Sequence, residues 1–224
     1  MKEKECIILD YDGTLHDSFV IYGAAFRKAM KDLEAKGLLS PRSYEDAEIR
    51  QWIGLSVTDM WNVFQPDLSE EEKAYGGKLI GHYMEELLDL QAARLYPNVV
   101  PVLESLKESY ELIFLSNCKR SYMEGHKKQF LLERYFTEFY CSEDFSFIPK
   151  EEIFQRIKKR DRHYLVVGDR RADLMLARAH GLPFVGCLYG YAGPGELTGA
   201  DALIGDIREL PGIIHKLMER EEYE

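Results

Sequence analysis

The sequence predicts an α/β protein: a doubly wound, Rossmann-like parallel sheet with an α-helical segment inserted behind its first strand. Three observations carry that expectation. A short apolar run, Cys6–Leu9, stands alone near the front of the chain. Residues 17–93 then show helical spacing and no strand signal of comparable quality. From residue 94 onward short apolar runs alternate with helix-period segments, the rhythm of a parallel sheet covered on both faces. The expected organisation is a core of residues 1–16 and 94–224 with residues 17–93 as the helical insert.

Cys6-Ile7-Ile8-Leu9 is bounded by charge and reads as a buried strand. Phe19, Tyr22, Phe26, Met30 and Leu33 recur at helical spacing, and Gly37 stands where that helix ends. Three further helix starts carry capping-box spacing: Ser43 with Asp46, Ser56 with Asp59, and Ser69 with Glu72. After Tyr96-Pro97 the strands are read at Glu111–Leu115, Phe139–Cys141, Tyr164–Val167, Phe184–Cys187 and Ala202–Ile204. Helices fill most of the gaps and close the chain from about Ile207. The acidic run Glu219 to Glu224 reads as a solvated end.

A length of 224 residues suits one large domain or a core with a smaller insert. The formal net charge of −10 counts against nucleic acid as the main partner. It is no bar to a phosphorylated small molecule, because a metal ion can supply local positive charge. The four cysteines, Cys6, Cys118, Cys141 and Cys187, are widely spaced and form no CxxC pair. Buried reduced thiols of a cytoplasmic protein are expected from them. The charged start is no signal peptide, and no apolar run is long enough to span a membrane, so no membrane partner is expected.

In an open parallel sheet, ligands bind beyond the carboxyl ends of the strands. Here the first strand runs into Asp10-Tyr11-Asp12-Gly13-Thr14, the second into Ser116-Asn117, and the Tyr164–Val167 strand into Gly168-Asp169. Three buried strands thus deliver short polar groups to one edge. Asp10 and Asp12, two apart, share a face in extended chain, and Gly13 lets the backbone turn closely past a ligand. Carboxylates held that close require a cation or a raised pKa. Such a pair can divide the labour between an ionised nucleophile and a proton donor.

Asp10-Tyr11-Asp12-Gly13-Thr14-Leu15-His16-Asp17-Ser18 resembles the first signature of the haloacid dehalogenase superfamily. Ser116-Asn117 resembles its second motif, and Gly168-Asp169-Arg170-Arg171-Ala172-Asp173 its fourth. The motifs occur in order across nearly the whole chain. The helical insert resembles the cap domain of the phosphoglycolate phosphatase-like branch. The resemblance implies a magnesium-dependent phosphomonoester hydrolase acting on a small phosphorylated metabolite through an aspartyl-phosphate. It implies Asp10 as nucleophile, Asp12 as acid and base, and Ser116 as a phosphoryl hydrogen-bond donor. Asp10, Asp169 and the backbone carbonyl of Asp12 are the implied Mg2+ ligands, an oxygen-rich set suited to a hard ion. Asn117, Asp173, Gly13 and Thr14 are implied in support, Asp173 orienting the lysine or the metal's water shell.

The third motif departs from the family pattern. Relatives carry Lys-Pro before a short helix, whereas here the order is Ile148-Pro149-Lys150. Either Lys150 is the phosphate-binding lysine, or the usual position is Ile148 and another cation serves. Lys150 is the favoured choice, because a lysine at a helix N-terminus otherwise opposes the dipole. His16, Arg50 and Trp52 are candidate substrate contacts, set against burial or a hinge for His16, solvent for Arg50 and core packing for Trp52. Gly190-Tyr191-Ala192-Gly193-Pro194-Gly195 lacks the P-loop lysine pattern of a phosphate loop and reads as a plain loop. A phosphosugar mutase of the β-phosphoglucomutase type uses the same scaffold and the same two aspartates. A signalling receiver domain phosphorylated on aspartate is the alternative of another class; the helical insert and the Asp-x-Asp-Gly-Thr order count against it. Substrate identity and oligomeric state are not encoded in these motifs.

Overall fold

The front apolar run forms β1 (Lys4–Leu9), and the chain then enters a set of helices before any other strand appears. These are α1 (Phe19–Ala35), α2 (Asp46–Arg50), α3 (Val57–Phe64) and α4 (Glu70–Asp89). There follow α5 (Val99–Leu106), β2 (Glu111–Ser116), α6 (Arg120–Phe130) and β3 (Phe136–Cys141). The chain closes with α7 (Lys150–Ile157), β4 (Arg162–Gly168), α8 (Arg171–His180), β5 (Phe184–Cys187), β6 (Ala202–Ile204) and α9 (Leu210–Glu221). This computed structural model describes residues 4–221, so the last three residues of the acidic end lie outside it. The chain divides into two units, with breaks between His16 and Asp17 and between Arg94 and Leu95. Among the described residues no helix is long and apolar enough to cross a membrane.

In the α/β unit the strands are all parallel, in the order β3-β2-β1-β4-β5-β6. The chain starts mid-sheet, winds outward to one edge, then returns to wind to the other. Winding therefore reverses between β1 and β4, which creates a crevice beyond their carboxyl ends. Register sets Cys6 beside Tyr164, and Ile8 beside both Ile113 and Val166. These side chains join Leu115 and the α7 and α8 residues Ile153, Phe154, Leu174 and Ala177 in one buried cluster. The alternate residues Ile7, Leu9, Phe114, Leu165 and Val167 point to the opposite face and are equally buried. Burial on both faces is why these strands read as continuous apolar runs. Each such side chain contributes roughly 1.5–3 kcal/mol when removed from water, so the strand ends are held rigidly.

The helical unit is a separate core. Phe26, Met30, Leu33, Ile49, Trp52, Met60, Trp61 and Ile80 form its centre. The Phe64 ring packs on Phe26, Trp61 and Trp52 with centroids 5.4, 5.6 and 5.7 Å apart. Ser69 and Glu72 complete a reciprocal capping box on α4, and Ser56 accepts from the Asp59 N–H on α3. Gly37, at φ +73°, ends α1 in the left-handed region. The start read at Ser43 is wrong: α2 begins at Asp46, with Glu45 as an N-cap that makes no side-chain bond. The reason is tertiary. The Arg27 guanidinium takes the Tyr44 carbonyl at 3.1 and 3.3 Å, and the Tyr44 ring is buried against Phe26. Both contacts hold that segment out of a helix.

Trp61 is fully buried and depends on Gly76 of α4, where a Cβ would lie 2.3 Å from the indole Cζ2. Alanine normally favours a helix over glycine by about 1 kcal/mol. Overpacking here costs about 1–3 kcal/mol and outweighs it. Gly76→Ala is therefore expected to lower the melting temperature of the helical unit, measured by thermal denaturation followed through tryptophan fluorescence. A raised melting temperature would show that the indole yields freely.

Candidate active site

β1 and β4 lie side by side at the switch point, and each is followed directly by an aspartate, Asp10 and Asp169. The Asp10 N–H donates to the Val167 carbonyl at 3.0 Å, carrying the sheet pairing one residue past β1. The chain then folds back on itself. The N–H groups of Leu15 and His16 both reach the Tyr11 carbonyl, at 2.8 and 2.9 Å, and Gly13 N–H reaches the His16 carbonyl at 2.9 Å. Gly13 sits at φ +83°, and a Cβ on it would lie 2.1 Å from Asp169 Oδ2. A Cβ on Gly190 would lie 2.4 Å from the same oxygen, and one on Gly168 would lie 2.3 Å from Asp173 Cγ. Glycine at these positions is what lets carboxylates crowd together.

Asp10, Asp169 and Asp173 each offer an oxygen within 4.8 Å of the others, and all three are buried. Lys150, the first residue of α7, is buried with them. Its Nζ donates to Asp10 Oδ1 and Asp173 Oδ1, each at 2.6 Å. Asp173 Oδ2 accepts the Arg170 N–H at 3.1 Å, so both of its oxygens are engaged in holding Lys150 and the start of α8. Asp169 accepts from Thr14 Oγ1 at 3.3 Å and from the Tyr191 N–H at 2.6 Å.

One ammonium faces three buried carboxyl groups, so ionising all three would leave the cluster with excess negative charge. Burial first, then the Asp173 charge, pushes the Asp10 carboxyl up to about 7, against the pull of Lys150. Burial, reinforced by Asp10 and Asp173, also lifts Asp169 well above the carboxylate range. Burial works to lower the Lys150 ammonium, yet Asp10 and Asp173 override it and hold the ammonium above its ordinary value. An excess of buried oxygen charge with no sulfur or imidazole in the cluster fits a hard divalent cation. Asp10, Asp169 and Asp173 are the carboxylates whose oxygens converge there.

Asp12 has a different setting. It is half-buried, and its Oδ1 accepts from the Tyr122 hydroxyl at 2.8 Å and meets His16 Nδ1 at 2.9 Å. Burial pushes its carboxyl upward, but the His16 hydrogen bond, the His16 and His126 imidazoles and the Tyr122 hydroxyl hold it below its ordinary value. Ser116 is buried at the end of β2, and Asn117 beside it is exposed.

The structure corrects several of the sequence expectations. His16 is fully buried with Nδ1 turned to Asp12, so it is not a substrate contact. Trp52 is buried in the core of the helical unit, which removes it too. Arg50 is exposed, and its guanidinium lies 3.8 Å over the Phe19 ring instead of extending free into solvent. The loop at Gly190 is not a plain one, since it closes over Asp169 and donates the Tyr191 N–H to it. Tyr122 and His126 escaped sequence reading. Their signal was Tyr122, His126 and Phe130 at i, i+4 and i+8 on the helix after Ser116-Asn117, one polar-aromatic face.

Residues 7–187 match the family model described as haloacid dehalogenase-like hydrolase. A phosphoglycolate phosphatase of Mannheimia succiniciproducens is 27% identical over 196 residues, covering 81% of this chain and 84% of that protein. A predicted phosphoglycolate phosphatase from Haemophilus somnus aligns with a TM-score of 0.78 at 25% identity, over 96% of this chain and 99% of that one. A predicted phosphatase from Clostridium acetobutylicum shares the fold with a TM-score of 0.80 at 20% identity, over 96% of this chain and all of that one.

The electrostatics of the acidic cluster lead to a test. Folded Asp10 and Asp169 hold protons to higher pH than they do in the unfolded chain. Their contribution to stability is therefore lost as pH rises above the ordinary carboxylate range, for Asp10 through about 7. A bound cation removes that penalty. Magnesium is expected to raise the melting temperature more at about pH 8 than at about pH 5, with ~2.7 kcal/mol gained at a hundredfold excess over Kd. Equal shifts at both pH values would place the ion away from these carboxylates.

Proposed function

The chain belongs to the haloacid dehalogenase-like hydrolase family and is a phosphatase, and we propose that it hydrolyses a small phosphorylated metabolite through a phosphoaspartate on Asp10. The observation that carries this reading is the pairing of two aspartates, two residues apart, in opposite environments. Asp10 sits against a buried lysine and other carboxylates, whereas Asp12 is held by the hydroxyl of a tyrosine and the imidazole of a histidine.

A phosphate monoester resists attack because its oxygens repel nucleophiles, so the site must offset charge, align the nucleophile and protonate the leaving group. Lys150 fixes Asp10 by one oxygen and screens charge beside it. An Asp10 oxygen bonds to phosphorus as the ester P–O bond breaks, and Asp12 gives its proton to the departing alkoxide. Water then attacks the phosphorus, Asp12 takes the water's proton, and the P–O bond to Asp10 breaks to release inorganic phosphate. Ser116, at the end of β2, is the donor assigned to a phosphoryl oxygen. Asp10, Asp169 and the Asp12 backbone carbonyl would hold Mg2+, which supplies the positive charge that keeps Asp10 ionised and screens the phosphoryl group.

The relatives named phosphoglycolate phosphatase make a small anionic metabolite the favoured substrate class. The inserted helical unit is assigned the part of a substrate-selecting cap. Four buried thiols suit a reducing compartment, the cytoplasm. The test is turnover of p-nitrophenyl phosphate and 2-phosphoglycolate with magnesium, with excess chelator, and in Asp10→Asn. Release of free phosphate that needs magnesium and falls to background in a folded Asp10→Asn is the expected result. Near wild-type activity in that variant would remove Asp10 from its role, and an isomerised sugar phosphate in place of free phosphate would mark a mutase.

A further inference from the structure

We propose that Tyr122 and His16 are a positioning pair for Asp12, fixing one carboxylate oxygen so that the other alone meets the leaving group. The inference rests on the reading of Asp12 as the acid and base. Both contacts land on Oδ1, from the Tyr122 hydroxyl at 2.8 Å and His16 Nδ1 at 2.9 Å. Among the described residues no hydrogen bond falls on Oδ2. A carboxylate held by one donor still swings about its own bonds. Two donors converging on one oxygen from different elements stop that motion. Proton transfer needs the acid within hydrogen-bond reach of the leaving oxygen, and a misplacement of about 1 Å costs roughly a hundredfold in rate.

The donors are themselves immobile. The His16 ring is fully buried and stacks on Tyr11 at 5.2 Å and 14°, with the His126 ring 4.5 Å away. Tyr122 is 8% exposed and lies against His126 at 4.2 Å. His126 Nδ1 in turn bonds the Tyr11 hydroxyl at 2.8 Å, which ties α6 to the residue between the two aspartates. This arrangement leaves His16 Nε2 and His126 Nε2 buried without a hydrogen-bond partner among the described residues. Unmet buried nitrogens are costly and uncommon. Phenyl rings would fill the same space without them, so packing alone does not account for imidazoles here. What imidazole adds is Nδ1, which in His16 faces Asp12 and in His126 holds Tyr11.

The experiment is the leaving-group dependence of kcat/KM across substituted phenyl phosphates, from p-nitrophenyl to unsubstituted phenyl, with saturating magnesium. A well-placed acid makes the rate nearly insensitive to leaving-group basicity. Tyr122→Phe keeps the ring and loses only the hydroxyl. Its loss is expected to be about threefold with p-nitrophenyl phosphate and about 10- to 100-fold with phenyl phosphate. His16→Leu is expected to steepen the profile likewise, and His16→Asn, which restores a donor near the Nδ1 position, to recover part of it. A structural role lowers every substrate by the same factor. Such a uniform loss, or an unchanged profile in Tyr122→Phe, overturns the proposal. Asp12→Asn separates the two readings. A steep profile there with a flat one in Tyr122→Phe overturns the positioning pair alone. A flat profile in Asp12→Asn removes Asp12 as the acid, and the pair's role falls with it. If His16→Leu does not fold, the Tyr122→Phe profile decides.

Discussion

The double ion pair from Lys150 to Asp10 and Asp173 is the interaction on which the site depends. Removing a charge from water costs several kcal/mol even in a relaxed protein interior, and here four ionisable groups are buried together. One ammonium cannot balance three carboxylates. Ionising all three would leave negative charge over, and their oxygen-only chemistry suits a hard cation. The rest of the unit serves that crowding. Two-faced burial fixes the ends of β1 and β4, glycines at 13, 168 and 190 leave no Cβ in the way, and Asp173 uses both oxygens to hold its neighbours.

The two aspartates of the first motif sit two residues apart and are tuned in opposite directions. In the protein alone Asp10 is pushed toward its protonated form and Asp12 toward its ionised form. A nucleophile and a general acid need the reverse. Positive charge beside Asp10 lowers its carboxyl, and an anionic phosphate arriving beside Asp12 raises that one. On the proposed reading, a cation and a substrate together would move each aspartate toward the state its role needs, and each aspartate's partners set which way it moves.

Much of this was legible from local pattern. Strand runs ending in Asp10, Ser116 and Asp169 marked the sheet edge, because side-chain period and polar punctuation are local properties. The lysine was harder. Its place after Pro149 left two alignments open, and what brings its side chain to Asp10 is the path of the backbone before it. Ser146 and Phe147 both lie in the left-handed region at φ 58°, where residues other than glycine are uncommon and no sequence pattern announces them. The pair around Asp12 was illegible for another reason. Tyr122 is 110 residues from Asp12 and 106 from His16, so their meeting is a product of the sheet's winding and not of any motif. The lost cap at Ser43 has the same origin, a contact from Arg27 that outweighs local preference.

The central claim is that the Asp10 carboxylate is the phosphoryl acceptor, and trapping the covalent enzyme tests it most directly. Asp12→Asn is expected still to transfer phosphate from p-nitrophenyl phosphate, whose leaving group needs little protonation, while lacking the base that activates water for the second step. Acid quenching of this variant with magnesium, followed by peptide mapping by mass spectrometry, is predicted to place one phosphoryl group on Asp10. Release of p-nitrophenol with no phosphorylated peptide, or with the phosphoryl group on another residue, would contradict the account.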